Sequence, residues 1–396
     1  MNRLVIMLMS IATIVFACEK VDHSGEKGEE NKPHISLDEV AQIFSELPIG
    51  REHVLEVFDA VSTSSNNGYD EEYTMLDLFT SPGAGVGESE ETKAISACAY
   101  SHPLRELIAN HLLQTKASSI SPEEYMSMLE SSDIQIYWPY YEGWDGEMRP
   151  VITFDPGNGA EVNYGYELID KADGSQEVKQ VIVDENMALS RPVWVINRNS
   201  DSGYESIEMI KKRNPEWGSG GSIIIKPSSE KDLQQTSTSV RSLVLKDFKM
   251  LRNYDCWFAG ASEFFIKCGG VEDFTASTEA ELKLYSPKIT DFMLVLRRNQ
   301  VGKTVNLNTV LISQWTEQLE SVALMIVEDD GGTKTEWKCS AMVKVKSKSF
   351  GFDISLPFNS RDDIVWRGQL SVPYLEKYDN VTSRFGDVEM TFSLVE

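Results

Sequence analysis

Histidine is scarce in this sequence, and the short motifs of common hydrolases are missing. The five histidines are His23, His34, His53, His102 and His111. All of them precede residue 112, so the C-terminal two thirds of the chain cannot supply a histidine base to a catalytic triad. The motifs HExxH, GxSxG and CxxC are also absent. The sequence therefore lacks these indicators of a zinc site or an activated serine.

Basic residues are also in the minority. Lys and Arg number 37 against 62 Asp and Glu, which gives a net charge of −25. Nucleic acids are bound through clustered basic residues, and the densest cluster here, Lys211-Lys212-Arg213, is interpreted as a solvated surface. The glycine-rich run at 83–87 is followed by Glu88, where a dinucleotide fingerprint needs a third glycine. We therefore expect neither a nucleic acid nor a nucleotide partner.

An apolar run near the N-terminus has the composition of an export signal. It covers Leu4 to Phe16 after the single cation Arg3. The run has about 13 residues, whereas a membrane-spanning helix needs about 20. Small Ala17 precedes Cys18, and the sequence Val-Phe-Ala-Cys resembles the lipobox of bacterial lipoprotein precursors. Ordinary secretion, with cleavage at the same bond, is the alternative.

The lipobox resemblance implies a membrane anchor at Cys18. In that family the cysteine thiol receives a diacylglyceryl group, and the amine exposed by cleavage receives a further acyl chain. Two chains suffice for stable anchoring. Residues 1–17 are then the signal peptide, and residues 18–34, which have almost nothing to bury, are expected to be a disordered tether. The expected location is the bacterial cell envelope, lipid-anchored at the outer membrane.

Two internal blocks carry a second resemblance. They are the segment from Asp133 to Pro156 and the segment NYDCWFAGASEFFIKC that begins at Asn253. Together with the lipobox, they look like predicted Bacteroidetes outer-envelope lipoproteins of unknown function. That family carries no assigned catalytic residues, so the resemblance transfers no activity to this chain.

The N-terminal part of the chain has the hydrophobic period of helices. The run from Ser36 to Glu39 matches a capping box, and apolar residues at helical spacing follow it. Ser121 followed by Pro122 predicts another helix start. We therefore predict a helical region at 35–132.

From Ile134 onward the hydrophobic period changes to two, which predicts strands. No helical pattern interleaves these strands, so antiparallel sheets are expected. The predicted fold class is α+β: the helical region, a β-rich domain at 133–227 and a β-sandwich domain at 228–396.

Aromatic residues are unusually dense just after the first predicted strand, and carboxylates lie among them. The group comprises Tyr137, Trp138, Tyr140, Tyr141, Glu142, Trp144, Asp145 and Glu147. Trp138 continues the alternation of the strand and should face the core. Tyr141, Glu142, Trp144 and Asp145 fall in a predicted loop. Rings beside carboxylates suit sugar recognition, so these four are candidate ligand-binding residues; the alternative is that the rings join the β-domain to the helices.

Acidic pairs near the C-terminus are candidate calcium ligands. They are Glu328 and Asp329 in one group and Asp362 and Asp363 in the other. Both groups fall at predicted loops or strand edges, where carboxylate oxygens from several loops can bind Ca²⁺. The alternative for the first group is a hairpin turn at 330–332.

The four cysteines other than Cys18 are expected to be free thiols rather than disulfide-bonded. Cys256 and Cys268 lie at the two ends of a strand predicted for Trp257–Lys267, which holds them too far apart to bond unless the chain turns back. Cys339 is predicted to lie in another strand and can reach either of them. Cys98 and His102 have the spacing of one helical face, and a buried cysteine with a helix-ending histidine is preferred there over a nucleophile pair.

Two functions fit these observations. The first is a membrane-anchored, non-enzymatic protein that binds a glycan, a peptide or a protein at the cell envelope. The alternative is a hydrolase of envelope or extracellular polymers whose Asp and Glu residues meet only in the folded chain. Two carboxylates about 5 to 9.5 Å apart in a cleft would favour the hydrolase.

Overall fold

The computed structural model describes residues 35–79, 103–115, 120–173, 176–199, 205–215 and 241–395. The predicted signal peptide, Cys18, the tether and the glycine-rich run lie outside these residues, as do Cys98 and His102. No helix in the described part of the chain is long and apolar enough to span a membrane.

Five helices are described in the region for which the sequence predicts them. Their bounds are α1 Leu37–Glu46, α2 Arg51–Asn66, α3 Met75–Phe79, α4 Pro103–Thr115 and α5 Pro122–Glu130. Val40 and Phe44 lie on one buried face of α1, as helical spacing requires. The Ser121 hydroxyl accepts a hydrogen bond from the Glu124 N–H at 3.2 Å, which confirms the predicted start of α5. Ser36 is the N-cap residue of α1, but its side chain makes no capping bond, so the predicted capping box is wrong.

A six-stranded sheet forms the first part of the β structure. Its strands are β1 Glu72–Thr74, β2 Ile134–Tyr137, β3 Val151–Phe154, β4 Val162–Asp170, β5 Gln176–Asp184 and β6 Val193–Arg198, in the order β1-β2-β6-β3-β4-β5. Neighbouring strands are antiparallel except β3 and β6, which are parallel. The connection from β3 to β6 contains the β4–β5 hairpin and a short helix, α6 (Glu185–Ser190). The sheet is therefore mixed, because this long connection returns the chain to the same end of the sheet.

Two antiparallel sheets form the C-terminal part. Their strands are β7 Arg241–Met250, β8 Ser262–Gly270, β9 Lys288–Leu296, β10 Val305–Trp315, β11 Leu319–Glu328, β12 Lys334–Val345, β13 Lys348–Asn359, β14 Asp363–Ser371, β15 Thr382–Phe385 and β16 Val388–Val395. One sheet has the order β10-β7-β16-β15, and the other has the order β13-β12-β11-β8-β9 with β14 also paired to β11. Two short helices, α7 (Ile207–Arg213) and α8 (Val372–Lys377), pack beside them.

The two C-terminal sheets share one hydrophobic core. Phe248 of β7 and Phe264 of β8 have ring centroids 5.2 Å apart, and both rings are fully buried. Leu245 of β7 and Leu324 of β11 belong to the same core. Two sheets around one core fit the predicted β-sandwich, and the predicted α+β class is confirmed.

The loop between β7 and β8, residues 251–261, packs against the first sheet. The Trp257 ring is fully buried among valines of β3, β5 and β6, and its Nε1 donates a hydrogen bond to the Glu161 carbonyl at 2.9 Å. The Ala261 N–H donates to Asp70 Oδ2 at 3.0 Å, which links the loop to the segment between α2 and β1. These contacts fix the chain just before β8 and so position the carboxylates described below.

Candidate functional site

The predicted aromatic group packs against helix α2. Phe58 of α2 has its ring centroid 6.0 Å from Trp138, 5.4 Å from Tyr141 and 5.5 Å from Trp144. Trp138 is 1% exposed, which confirms its predicted core position. Tyr141 lies in a turn at 141–143, as predicted, but its ring is only 7% exposed. Trp144 is half-buried. This packing favours the alternative in which the rings join the sheet to the helices.

The carboxylates beside these rings are at the surface and already have partners. Glu142 forms an ion pair with Arg297 at 2.6 Å. Asp145 Oδ1 accepts hydrogen bonds from the Glu147 and Met148 N–H groups at 2.9 Å each, and these bonds lower the pKa of Asp145. The turn is thus held in one conformation with both carboxylates exposed. Ligand binding by Tyr141, Glu142, Trp144 and Asp145 stays a prediction.

The predicted calcium candidates meet at one end of the second C-terminal sheet. Glu328 is the last residue of β11, and its register partner Asp363 begins β14. Glu328, Asp329 and Asp362 are buried, while Asp363 is exposed. Residues 330–332 lie in the connection between β11 and β12, where Gly331 and Gly332 have φ angles of +68° and +105°. The four candidates therefore differ in their access to solvent and in their neighbours.

Asp329 and Asp362 accept hydrogen bonds from the β11–β12 connection and from Asn359 at the end of β13. Asp329 Oδ1 accepts from the Gly331 N–H at 3.1 Å and from Asn359 Nδ2 at 3.0 Å. Asp362 accepts from the Asn359 N–H at 2.7 Å and from the Asp330 N–H at 3.3 Å. Burial raises the pKa of Asp362 to about 6. These two carboxylates therefore join the β11–β12 connection to the β13–β14 connection.

Glu328 faces two other carboxylates, which the sequence analysis did not select. One oxygen each from Asp255, Glu263 and Glu328 lies within 4.8 Å of the others. Glu263 is in β8, where its neighbour Phe264 is the register partner of Glu328. Asp255 lies in the 251–261 loop. We call these three residues the carboxylate trio.

The trio is enclosed. Glu328 is 0% exposed, Glu263 is 7% exposed, and Asp255 is half-buried. Neither Glu328 oxygen accepts a hydrogen bond from a donor in the described part of the chain, and the same holds for Asp255 Oδ2. Burial of an ionised carboxylate without a partner is costly, so this arrangement requires a counter-charge or protons.

The pKa values of two trio members reflect this cost. Burial, followed by the nearby charge of Asp255, raises the pKa of Glu328 to about 12. Burial also raises the pKa of Asp255 to about 6. The two groups are close enough for a proton on Glu328 to be shared with Asp255. Arg298 lies nearby, but its Nη1 donates to the Asp255 carbonyl at 2.8 Å and its Nε to Glu185 at 2.7 Å.

Two kinds of chemistry suit carboxylates with raised pKa values: acid–base catalysis and cation binding. Glycosidase carboxylates lie about 5 to 9.5 Å apart, on either side of the bond that they cleave. The trio oxygens are closer than this, and Glu328 has no exposed surface. The geometry therefore suits a small cation better than a polymer substrate.

The three described cysteines are free thiols. Cys268 is fully buried, and Cys256 and Cys339 are half-buried. Burial raises the pKa of all three thiols, so they are poor nucleophiles. The strand near Cys268 begins at Ser262, five residues later than predicted, because Trp257 lies in the preceding loop.

Comparison with known proteins identifies no relative: the chain matches no protein-family model, no curated protein and no solved structure. The site is therefore interpreted from its own geometry.

Proposed function

We propose that this protein is exported and held at the bacterial cell envelope, on the outer membrane, by lipid attached to Cys18. The observation that carries the proposal is the apolar run Leu4–Phe16, which ends in Ala17-Cys18. The compact unit begins at Ile35, so the folded body and the proposed anchor are separate along the chain. The resemblance to Bacteroidetes outer-envelope lipoproteins supports the same location.

A labelling experiment tests the anchor. Cells that express the full-length protein are grown with radioactive palmitate, and the labelled protein is followed through membrane fractionation. We expect Cys18→Ala to lose the label and to leave the membrane fraction. Cys339→Ala, which removes a half-buried thiol of the folded body, serves as the control and should keep both. A Cys18→Ala protein that stays labelled and membrane-bound would contradict the proposal.

We further propose that the folded body binds a glycan, a peptide or a protein and does not catalyse a reaction. The turn at 141–148 supports this role because its carboxylates are exposed and held in place by Arg297 and by backbone N–H groups. Half-buried Trp144 lies beside them, with its Nε1 donating to the Met148 carbonyl at 2.9 Å. A ring next to fixed acceptors is suited to the apolar face and the hydroxyl groups of a sugar. The hydrolase alternative gains no support from the enclosed carboxylate trio.

A glycan array tests this binding role with two matched variants. Trp144→Ala removes the half-buried ring of the turn, and Trp337→Ala removes a half-buried ring of β12. We expect the Trp144 variant to lose retention of glycans that the wild type binds, and the Trp337 variant to keep it. Both should melt cooperatively. If the wild-type protein binds no glycan, or if the two variants retain glycans equally, glycan binding by this turn is contradicted.

A further inference from the structure

We propose that the carboxylate trio of Asp255, Glu263 and Glu328 is a binding site for a divalent cation, Ca²⁺. The proposal is independent of the lipid anchor and of the glycan-binding turn. It replaces the predicted set of calcium ligands, of which it keeps only Glu328.

The spacing of the trio is compatible with the size of calcium. Ca²⁺ binds oxygens at about 2.3 to 2.6 Å, so two ligands on opposite sides of the ion are about 4.8 Å apart. The three trio oxygens all lie within 4.8 Å of one another. A carboxylate can bind calcium through both of its oxygens, and both oxygens of Glu328 lack a partner among the described residues, so the trio can supply more than three donors.

The position of the trio is defined by the fold. Glu263 and Glu328 lie on adjacent antiparallel strands, and the Asp329 N–H donates to the Glu263 carbonyl at 3.0 Å. Asp255 is held by the loop that is anchored through Trp257 and through the bond from Ala261 to Asp70. Contacts outside the trio therefore hold the backbone that carries its three carboxylates, which lowers the cost of binding a cation.

Charge provides the second, independent argument. Both oxygens of the fully buried Glu328 lack a donor among the described residues, although the side chain is directed at two other carboxylates. Asp330 and Asp363 add negative charge around Glu328. Arg298, whose positive charge acts on Asp255, is already bonded to Glu185. A divalent cation can take the place of the proton that Glu328 and Asp255 share, and it gives both Glu328 oxygens a partner.

The donor set selects calcium from among the common divalent ions. Zinc prefers histidine and cysteine ligands, and the trio contains only oxygen donors. Magnesium demands shorter distances, near 2.1 Å, and retains several waters. An enclosed site lined by three carboxylates is therefore a poorer match to magnesium than to calcium. The expected effect of calcium is to tie the 251–261 loop to β8 and β11 and so to stabilise the folded body.

The test uses the full-length protein in detergent, stripped with a chelator and titrated with CaCl₂ by calorimetry and thermal melting. We expect one bound Ca²⁺ per chain and a rise in Tm of about 5 °C at about 100 times the Kd. Glu328→Gln should weaken binding about 100-fold or more, and Asp255→Asn should weaken it similarly. Glu336→Gln, an exposed carboxylate of β12, is the control and should bind as the wild type does.

Melting without calcium separates a cation site from a structural role of Glu328. The raised pKa of Glu328 keeps its side chain neutral in the calcium-free wild type, and Glu328→Gln is neutral as well, so the two calcium-free proteins should melt at similar temperatures. Adding calcium should raise only the wild-type Tm. If Glu328→Gln does not fold, Asp255→Asn provides the same comparison on the loop. The proposal would be overturned if calorimetry of the wild type detects no heat of calcium binding and calcium does not change its Tm. It would also be overturned by unchanged affinity in both trio variants, or by a wild type that binds Mg²⁺ or Zn²⁺ but not Ca²⁺.

Discussion

Tyr141 lies in a short turn and yet has the surroundings of a core residue. Its ring packs edge-on against Phe58 and is 7% exposed. Trp138, three residues earlier, is 1% exposed and contacts Trp194 of β6 at a centroid distance of 6.0 Å. Both rings therefore contribute to the packing of α2 on the first sheet.

Truncation of Tyr141 should cost as much stability as truncation of a strand residue. We expect Tyr141→Ala and Trp138→Ala each to lower the free energy of unfolding by about 3 to 5 kcal/mol, because each leaves a cavity against α2. Tyr378→Ala is the control, since this tyrosine is 36% exposed, and it should cost less than about 1 kcal/mol. Urea unfolding measures all three. A Tyr141 variant as stable as the Tyr378 variant would show that the ring is not part of the core.

The sequence predicts some of these residue environments but not others. Alternation along β2 predicts that Trp138 is buried, because successive strand residues face opposite sides. A turn has no such period, and the burial of Tyr141 depends on Phe58, which is distant in the sequence. The carboxylate trio is equally hard to predict, because its members are also distant from one another in the sequence. Glu328 stands in a run of acidic residues, whereas Glu263 reaches it through strand pairing and Asp255 through the 251–261 loop. The local signal is Glu263 directly before the apolar run Phe264–Ile266.

Among the elements, the loop between β7 and β8 packs tightly at Gly260 against the segment before β1. This glycine has a φ angle of +133°, which favours glycine. A Cβ at this position would lie 2.6 Å from Asp70 Oδ2, the oxygen that accepts the bond from the Ala261 N–H. A side chain at position 260 therefore displaces the contact that links the loop to the segment before β1.

Gly260→Ala should destabilise the protein more than alanine at another positive-φ glycine that has open surroundings. Gly302 is the control, since its φ angle is +74° and a Cβ there would meet nothing within 4 Å. We expect a loss of about 1 kcal/mol for Gly302→Ala from strain alone, and about 2 to 4 kcal/mol for Gly260→Ala. Denaturant unfolding measures both. Equal losses would mean that Asp70 yields without cost and that this contact does not stabilise the loop.

Patterns within one segment of the sequence predict individual helices and strands well. The start of α5 follows from a serine followed by proline, and the strands of the C-terminal sheets follow from alternation. The parallel pairing of β3 with β6 was not predicted. The six residues of α6 are too few to establish a helical period, and pairing between distant strands leaves no signal in either strand alone.

At the scale of the whole molecule, the α+β class follows from one change in hydrophobic period near residue 133. The described chain from Ile35 onward belongs to one compact unit, and the division into a helical region, a β-rich domain and a sandwich domain stays a prediction. The contacts of the 251–261 loop with the first sheet show why such boundaries are hard to predict. They join segments that are far apart in the sequence.

The proposed lipid anchor at Cys18 can be observed directly by mass spectrometry of the N-terminal peptide of protein purified from native membranes. We expect a peptide that begins at Cys18, with a mass increased by a diacylglyceryl group on the thiol and an acyl chain on the amine. A peptide that begins at Cys18 with an unmodified thiol would indicate ordinary secretion. That result, or a mature protein that retains residues 1–17, would contradict lipid anchoring.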